Sequence, residues 1–220
     1  MSKIKVLLAD DHDLFREGLR RMLGLGKEID IAGEATNGSE AVKKARELLP
    51  DVVLMDIGMP QTDGIEATRQ IKNDCPSVEV IVLSMYEDDE HLFRAIKAGA
   101  AGYILKNSPL DEVVRVVKAA YRGESLLNPA LARRILDEFA TEKSPEENAD
   151  GLYCDLTKRE LEILILLASA KTNRQIGKTL LVTEKTVKNH ISNIYRKLQV
   201  NSRTQAVLKA IKSGLVESHG

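Results

Sequence analysis

Cysteine is scarce in this sequence, and long apolar runs are missing. The two cysteines, Cys75 and Cys154, lie far apart and show no metal-ligand spacing, so neither a disulfide framework nor a cysteine-based metal site is expected. No apolar run approaches the ~20 residues that a membrane-spanning helix needs. The first residues, MSKIKVLLADD, lack the apolar core and small-residue cleavage site of a signal peptide. No internal repeat is visible. These absences lead us to expect a cytoplasmic protein with no membrane partner.

Charge is nearly balanced over the whole chain, at −1, yet it is unevenly placed. Residues 151–220 hold 12 Lys/Arg against 5 Asp/Glu, whereas residues 1–150 hold 20 against 28. A basic C-terminal part on an acidic body suggests two domains, the second facing a polyanion. Uneven surface charge is common, so this pattern decides nothing alone.

What is present is an alternation. Ile4–Ala9, Ile29–Gly33, Val52–Met55, Val78–Leu83 and Ala101–Leu105 are short apolar runs bounded by turn residues. Amphipathic stretches lie between them. Ser39–Leu49 puts Ala41, Val42, Ala45, Leu48 and Leu49 on one face, and Pro109–Tyr121 does the same with Leu110, Val113, Val114, Val117 and Tyr121. Five strands alternating with helices predict a parallel α/β sheet covered on both faces. The pattern stops near Gly123. We expect a first domain over 1–124, a helix and polar linker over 125–151, and a smaller all-α domain over 152–220. Thr157-Lys-Arg-Glu160 and Thr172-Asn-Arg-Gln175 fit the capping-box pattern, and Thr183 fits an N-cap. A fourth helix start falls near Arg203. Only Leu181 and Val182 separate the second helix from the third, a helix-turn-helix spacing without the usual glycine.

Ligands of an open parallel sheet bind beyond the carboxyl ends of its strands. Asp10 and Asp11 follow the first predicted strand, Asp56 the third, Ser84 the fourth and Lys106 the fifth. Taken singly, each has an ordinary structural explanation: a helix cap, a closed turn, a solvated terminus. Together they fall on one edge. Three close carboxylates repel and raise one another's pKa. A hard divalent cation relieves that repulsion, and an all-oxygen set suits Mg²⁺. The added hydroxyl and ammonium shape the site for a phosphoryl group.

These motifs, LLADDH (7–12), VVLMDIGMPQTDG (52–64), VIVLS (80–84) and GYILK (102–106), resemble the receiver domain of two-component response regulators. The resemblance covers residues 3–122 and implies a flavodoxin-like fold with strand order 2-1-3-4-5. It implies that Asp56 accepts a phosphoryl group from a sensor histidine kinase. It further implies that Asp10, Asp11, Asp56 and the Gly58 carbonyl hold Mg²⁺. Ser84 and Tyr103 match the switch pair, and Lys106 the phosphate-binding lysine. Many receivers carry a cis proline after that lysine; here it is Asn107. A phosphatase with an aspartyl-phosphate intermediate is a rival, disfavoured by Gly58 where a second aspartate would act as acid.

In VTEKTVKNHISNIYRKLQV (182–200), Val187, Ile191, Ile194 and Leu198 form one stripe at about 100° per residue. Lys185, Lys188, Asn189, Ser192 and Arg196 occupy the opposite face, with no acid among them. Lys and Asn read base edges, and Arg and Lys meet phosphates. Residues 156–207 resemble the LuxR-type helix-turn-helix of NarL/FixJ regulators. That likeness implies a scaffold helix over 173–180, a recognition helix over 184–198 on double-stranded DNA, and a dimerisation helix from Arg203. Val207, Ala210 and Ile211 share a face there, outward by that likeness, although a core position for Val207 is equally plausible. Ala170 stands where the family usually has Gly, and Gly177 where Ala is usual. The expected output is regulated DNA binding by a dimer formed on phosphorylation, with no catalytic turnover beyond slow self-dephosphorylation.

Overall fold

The β-branched runs become strands because both of their faces are covered. In the computed structural model, which describes residues 3–85, 88–124, 126, 156–212 and 215, the chain divides into two compact units, Met1–Tyr121 and Arg122–Gly220. The helix expected over 128–140 and the linker over 141–151 lie outside the described residues. Among the described residues, no helix is long and apolar enough to cross a membrane.

The first unit alternates β1 (Ile4–Ala9), α1 (Asp13–Gly24), β2 (Ile29–Ala35), α2 (Gly38–Leu48), β3 (Val52–Asp56), α3 (Gly64–Asp74), β4 (Glu79–Ser84), α4 (Asp89–Ala98), β5 (Gly102–Leu105) and α5 (Leu110–Tyr121). The strands pair in parallel in the order β2-β1-β3-β4-β5. Helix α3 packs between α2 and α4, while α1 packs with α5, which covers the sheet on both faces. All five residues of β3 are buried, Asp56 included. Side chains alternate across the pleat, so Leu7, Val53, Met55 and Val80 share one core cluster with Ala41, Ala45 and Ile71 of α2 and α3.

Local chemistry sets the helix starts. The side chains of Asn37, Asp63 and Asp88 accept from the backbone N–H groups of Glu40, Glu66 and His91, capping α2, α3 and α4. Gly64 opens α3 because a Cβ there would overlap the Asp56 carbonyl. Its N–H donates to the Ile57 carbonyl at 3.0 Å, so the chain turns back at once after β3. Lys72 of α3 is wholly buried; its ammonium donates to the carbonyls of Pro76 (2.9 Å) and Val78 (2.8 Å) and lies 3.7 Å from Glu79 Oε2. Burial pushes its pKa down.

The second unit holds α6 (Lys158–Ala168), α7 (Asn173–Thr179), α8 (Glu184–Leu198) and α9 (Arg203–Lys212). Both expected capping boxes form, at Thr157/Glu160 and Thr172/Gln175, and Thr183 caps α8. Glu160 has a second partner: Lys197, in the last turn of α8, reaches its Oε2 at 2.7 Å. The expected stripe of Val187, Ile191, Ile194 and Leu198 is buried against Ile163, Leu164, Leu167 and Ile176. Ala210 is buried in this same core and Val207 packs against it, so Val207, Ala210 and Ile211 do not form one outward face. The small alanines of α9 let it sit close on α6.

The two departures from the family pattern have local causes and effects. Gly177 lies against the helix-turn-helix turn, where a Cβ would stand 2.8 Å from the Val182 carbonyl. Its missing side chain therefore allows a close approach as well as costing helix propensity. Leu181 then makes the turn with φ +56°, a conformation glycine would adopt more cheaply. Ala170 ends α6 in a Schellman motif, with φ +55°, its own N–H on Leu167 O and that of Lys171 on Leu166 O, each at 3.1 Å. An alanine is strained there. Ala170→Gly is expected to stabilise the protein by roughly 1 kcal/mol, read from denaturant midpoints at unchanged slope.

Candidate functional site

Parallel register brings the polar ends of four strands to one edge. Ala9 pairs with Met55, Asp56 with Leu83 and Ser84 with Leu105. Backbone bonds continue the ladder: Asp10 N–H donates to Ala35 O at 3.0 Å, and Lys106 N–H to Ser84 O at 2.7 Å. Asp10, Asp56 and Ser84 are 1%, 3% and 1% exposed. The edge is therefore a buried polar cluster, which must be neutralised to be tolerated.

Lys106 supplies part of that neutralisation. Its Nζ lies 2.8 Å from Asp10 Oδ2 and 2.8 Å from Asp56 Oδ2, and 5.0 Å from the centre of the Phe15 ring. One ammonium is thus shared between two buried carboxylates. Burial pushes the Asp56 carboxyl above its ordinary range; Lys106 opposes that rise, and the like charge of Asp10 adds to it. Burial disfavours the charged ammonium of Lys106, but its two carboxylate partners outweigh that and hold its pKa high. The loop after Lys106 accommodates Asn107 with a trans bond, as are all described peptide bonds, and the ammonium still reaches the cluster.

Asp11 is less buried, and its Oδ1 lies 2.9 Å from His12 Nδ1. Asp10 and Asp11 do not cap α1. The N-cap residue is His12, whose side chain makes no capping bond. Gly58 N–H lies 3.3 Å from Asp56 Oδ1, and a Cβ at Gly58 would meet nothing within 4 Å. Tyr103 packs beside Ile57, Val82 and Ala95, and its hydroxyl shares a hydrogen bond with the Ser84 side chain. One ligand atom each from Asp10, Asp11, His12 and Asp56 fall within 4.8 Å of one another. Three carboxylates gathered in a buried site fit a hard divalent cation such as Mg²⁺.

Two neighbours were not anticipated from the sequence. His12 joins the carboxylate cluster. Arg16 braces the loop that carries Asp10: it donates to the Asp10 carbonyl at 2.7 Å and to Glu34 Oε2 at 3.0 Å. Both lie in DDHDLFR, and the placement of Arg16 on the first turns of α1, facing back to β1, was the available signal.

In the second unit, Lys185, Asn189, Ser192 and Arg196 are exposed on α8 and Lys188 is half-buried, opposite the core stripe. Ser192 Oγ donates to the Lys188 carbonyl at 3.1 Å, and Arg196 donates to Asn193 Oδ1 at 3.2 Å. The face is cationic and amide-bearing, as base and phosphate contacts require.

Comparison with known proteins agrees with both halves. The response regulator receiver domain family matches residues 6–118, and the luxR family of bacterial regulatory proteins matches residues 155–210. Transcriptional regulatory protein LiaR of Bacillus subtilis is 46% identical over 213 residues, covering 97% of this chain and 99% of its own. Response regulator protein VraR of Staphylococcus aureus is 41% identical, with 97% and 99% covered. Among solved structures, the response regulator ChrA of a heme-sensing two-component system superposes over 98% of this chain and 100% of its own, with 35% identity and a TM-score of 0.51. The NarL receiver domain of Mycobacterium tuberculosis covers 56% of this chain and 99% of its own, with 34% identity and a TM-score of 0.55. The chain thus belongs to the two-component response regulators that couple a receiver domain to a LuxR-type DNA-binding domain and regulate transcription.

Proposed function

We propose that Asp56 is the phosphoacceptor, that a sensor histidine kinase supplies the phosphoryl group, and that phosphorylation in the cytoplasm promotes pairing of two chains on DNA. The observation that carries this reading is the buried convergence of Asp10, Asp56 and Lys106 on one sheet edge. Asp10, Asp11, Asp56 and the Gly58 carbonyl would hold Mg²⁺, which supplies charge neutralisation when bound. A carboxylate oxygen of Asp56 forms the bond to phosphorus as the bond to the kinase imidazole nitrogen breaks. Lys106 faces the equatorial oxygens with its ammonium. Ser84 turns its hydroxyl toward the new phosphate, which carries about −1.5 to −2 charge. Tyr103, now bonded to Ser84, is released to fill the space behind it, and the face formed by α4 and β5 changes.

Small-molecule phosphodonors are expected to label the protein only when Mg²⁺ is present, and Asp56→Asn to abolish the label, as read by intact mass. Stoichiometric labelling of Asp56→Asn would overturn the assignment. Without divalent cations, Asp56→Asn is also expected to melt at a higher temperature than wild type, because it removes a buried carboxylate whose desolvation exceeds its pairing.

For DNA, α8 is the reading helix, with Lys188, Asn189 and Ser192 toward base edges and Lys185 and Arg196 toward phosphates. Lys188→Ala should cost roughly 1–3 kcal/mol and relax sequence preference. Arg196→Ala should weaken all sequences alike and lower the salt slope by about 1. Unchanged affinity and slope in both would refute the assignment.

Two half-sites about one helical turn apart multiply the specificity of one helix-turn-helix, which is why dimerisation belongs to the reading. Sedimentation with and without phosphodonor should show a shift from monomer to dimer. A phosphorylated chain that stays monomeric at DNA-binding concentrations would remove that step.

A further inference from the structure

The His12 side chain stands at the mouth of the carboxylate cluster. It is 69% exposed, yet its Nδ1 faces inward, 2.9 Å from Asp11 Oδ1 and 3.5 Å from Asp10 Oδ1. It makes no capping bond to α1. The backbone of this loop is fixed independently: His12 N–H donates to Asp10 Oδ1 at 2.9 Å, and Arg16 holds the Asp10 carbonyl. Rotation of the imidazole therefore breaks its contact with Asp11 but leaves the backbone of the loop in place.

The cluster has the geometry of a site with four donors. One atom each of Asp10, Asp11, His12 and Asp56 fall within 4.8 Å of one another. Donors at roughly 2.0–2.2 Å from a common ion stand up to about 4.2 Å apart, so small side-chain rotations suffice. Two of the carboxylates are almost wholly buried, and their Oδ2 atoms share a single cation, the Lys106 ammonium, 2.8 Å from each. Carboxylate oxygens alone favour a hard cation. An imidazole nitrogen changes the balance, because it favours nickel, copper and zinc, and affinity for such sites rises along the first transition row.

We propose that His12 adds a nitrogen donor to the Asp10–Asp11–Asp56 cluster, so that a first-row transition ion such as Ni²⁺ occupies this site in competition with Mg²⁺. The inference rests on the Mg²⁺ reading of the cluster and extends it to metal selectivity. Mg²⁺ holds to the oxygens and leaves His12 in solvent. Ni²⁺ draws the imidazole in, breaks its contact with Asp11 and gains a ligand that Mg²⁺ does not use. The metal bound then depends on one exposed side chain that the carboxylates themselves do not need.

Calorimetric titration of the full chain with Mg²⁺ and with Ni²⁺, on wild type and His12→Ala, tests this. His12→Ala is expected to bind Ni²⁺ at least tenfold more weakly while binding Mg²⁺ within twofold of wild type, and to melt at the wild-type temperature. In wild type, added Mg²⁺ should displace the Ni²⁺ that His12→Ala fails to retain. Equal Ni²⁺ affinity in the two proteins overturns the proposal, as does Ni²⁺ that Mg²⁺ does not displace, which would place it on another histidine. A loss of Mg²⁺ affinity in His12→Ala equal to the loss for Ni²⁺ also overturns it, since selectivity would be unchanged. His12→Gln, which offers an oxygen at similar reach, should keep Mg²⁺ affinity and leave Ni²⁺ as weak as in His12→Ala; a Ni²⁺ affinity restored by glutamine would refute nitrogen ligation. If wild type shows no Mg²⁺ binding in the direct titration, the Mg²⁺ reading of the cluster falls and the displacement arm drops out; the Ni²⁺ affinities of wild type and His12→Ala then decide the nitrogen donor by themselves.

Discussion

Repulsion among carboxylates at one sheet edge is the constraint on which the first unit depends. Asp10 and Asp56 are buried beside each other because parallel strands β1 and β3 are adjacent and in register. Water is excluded, so the repulsion is weakly screened. Lys106 reaches both from the end of β5, two strands away from β3 in the sheet order. The strand order therefore has an electrostatic meaning: it sets acid and base on one edge with Ser84 between them. A site so loaded responds strongly to an added cation or phosphoryl group, because either changes a balance that the apolar core cannot absorb.

Much of this was legible in the sequence, because strand ends are marked by sharp changes from apolar to polar residues. VVLMD and IVLS give both the strand and its functional last residue. The capping boxes at Thr157 and Thr172 were legible for a similar reason: each is a local exchange of hydrogen bonds over four residues. What could not be read was tertiary. Lys72 sits among charged and polar helix residues and looks solvated, yet it is fully buried on backbone carbonyls that arrive from the loop into β4. The inward position of Ala210 depends on how closely α9 lies on α6, which periodicity does not reveal. The roles of His12 and Arg16 are not legible in the sequence, because each lies beside stronger motif residues and acts through geometry set by β2 and the loop.

Left-handed backbone occurs in both units, at Leu49 and Gln61 in the first and at Ala170, Leu181 and Gln199 in the second. Ala170 and Leu181 both hold left-handed conformations at helix ends, and each costs stability that a glycine would recover. Gly177 shows the converse economy, since its missing side chain lets α7 lie on the turn before α8. The unit is held despite these costs by a continuous aliphatic core and by Arg203, whose guanidinium binds the Leu167 and Lys171 carbonyls at the end of α6.

Glu160 has a consequence for the way α8 is mounted. The same carboxylate closes the first turn of α6 and grips Lys197 in the last turn of α8. Burial alone would favour its protonation, but Lys197 and the Thr157 backbone and hydroxyl hold its pKa below the ordinary glutamate value. The fastening is complete above the range in which a free glutamate titrates, and it is lost only as pH falls through the lower, folded-state value. The mounting of α8 on α6 thus survives to a lower pH than that at which a free glutamate protonates.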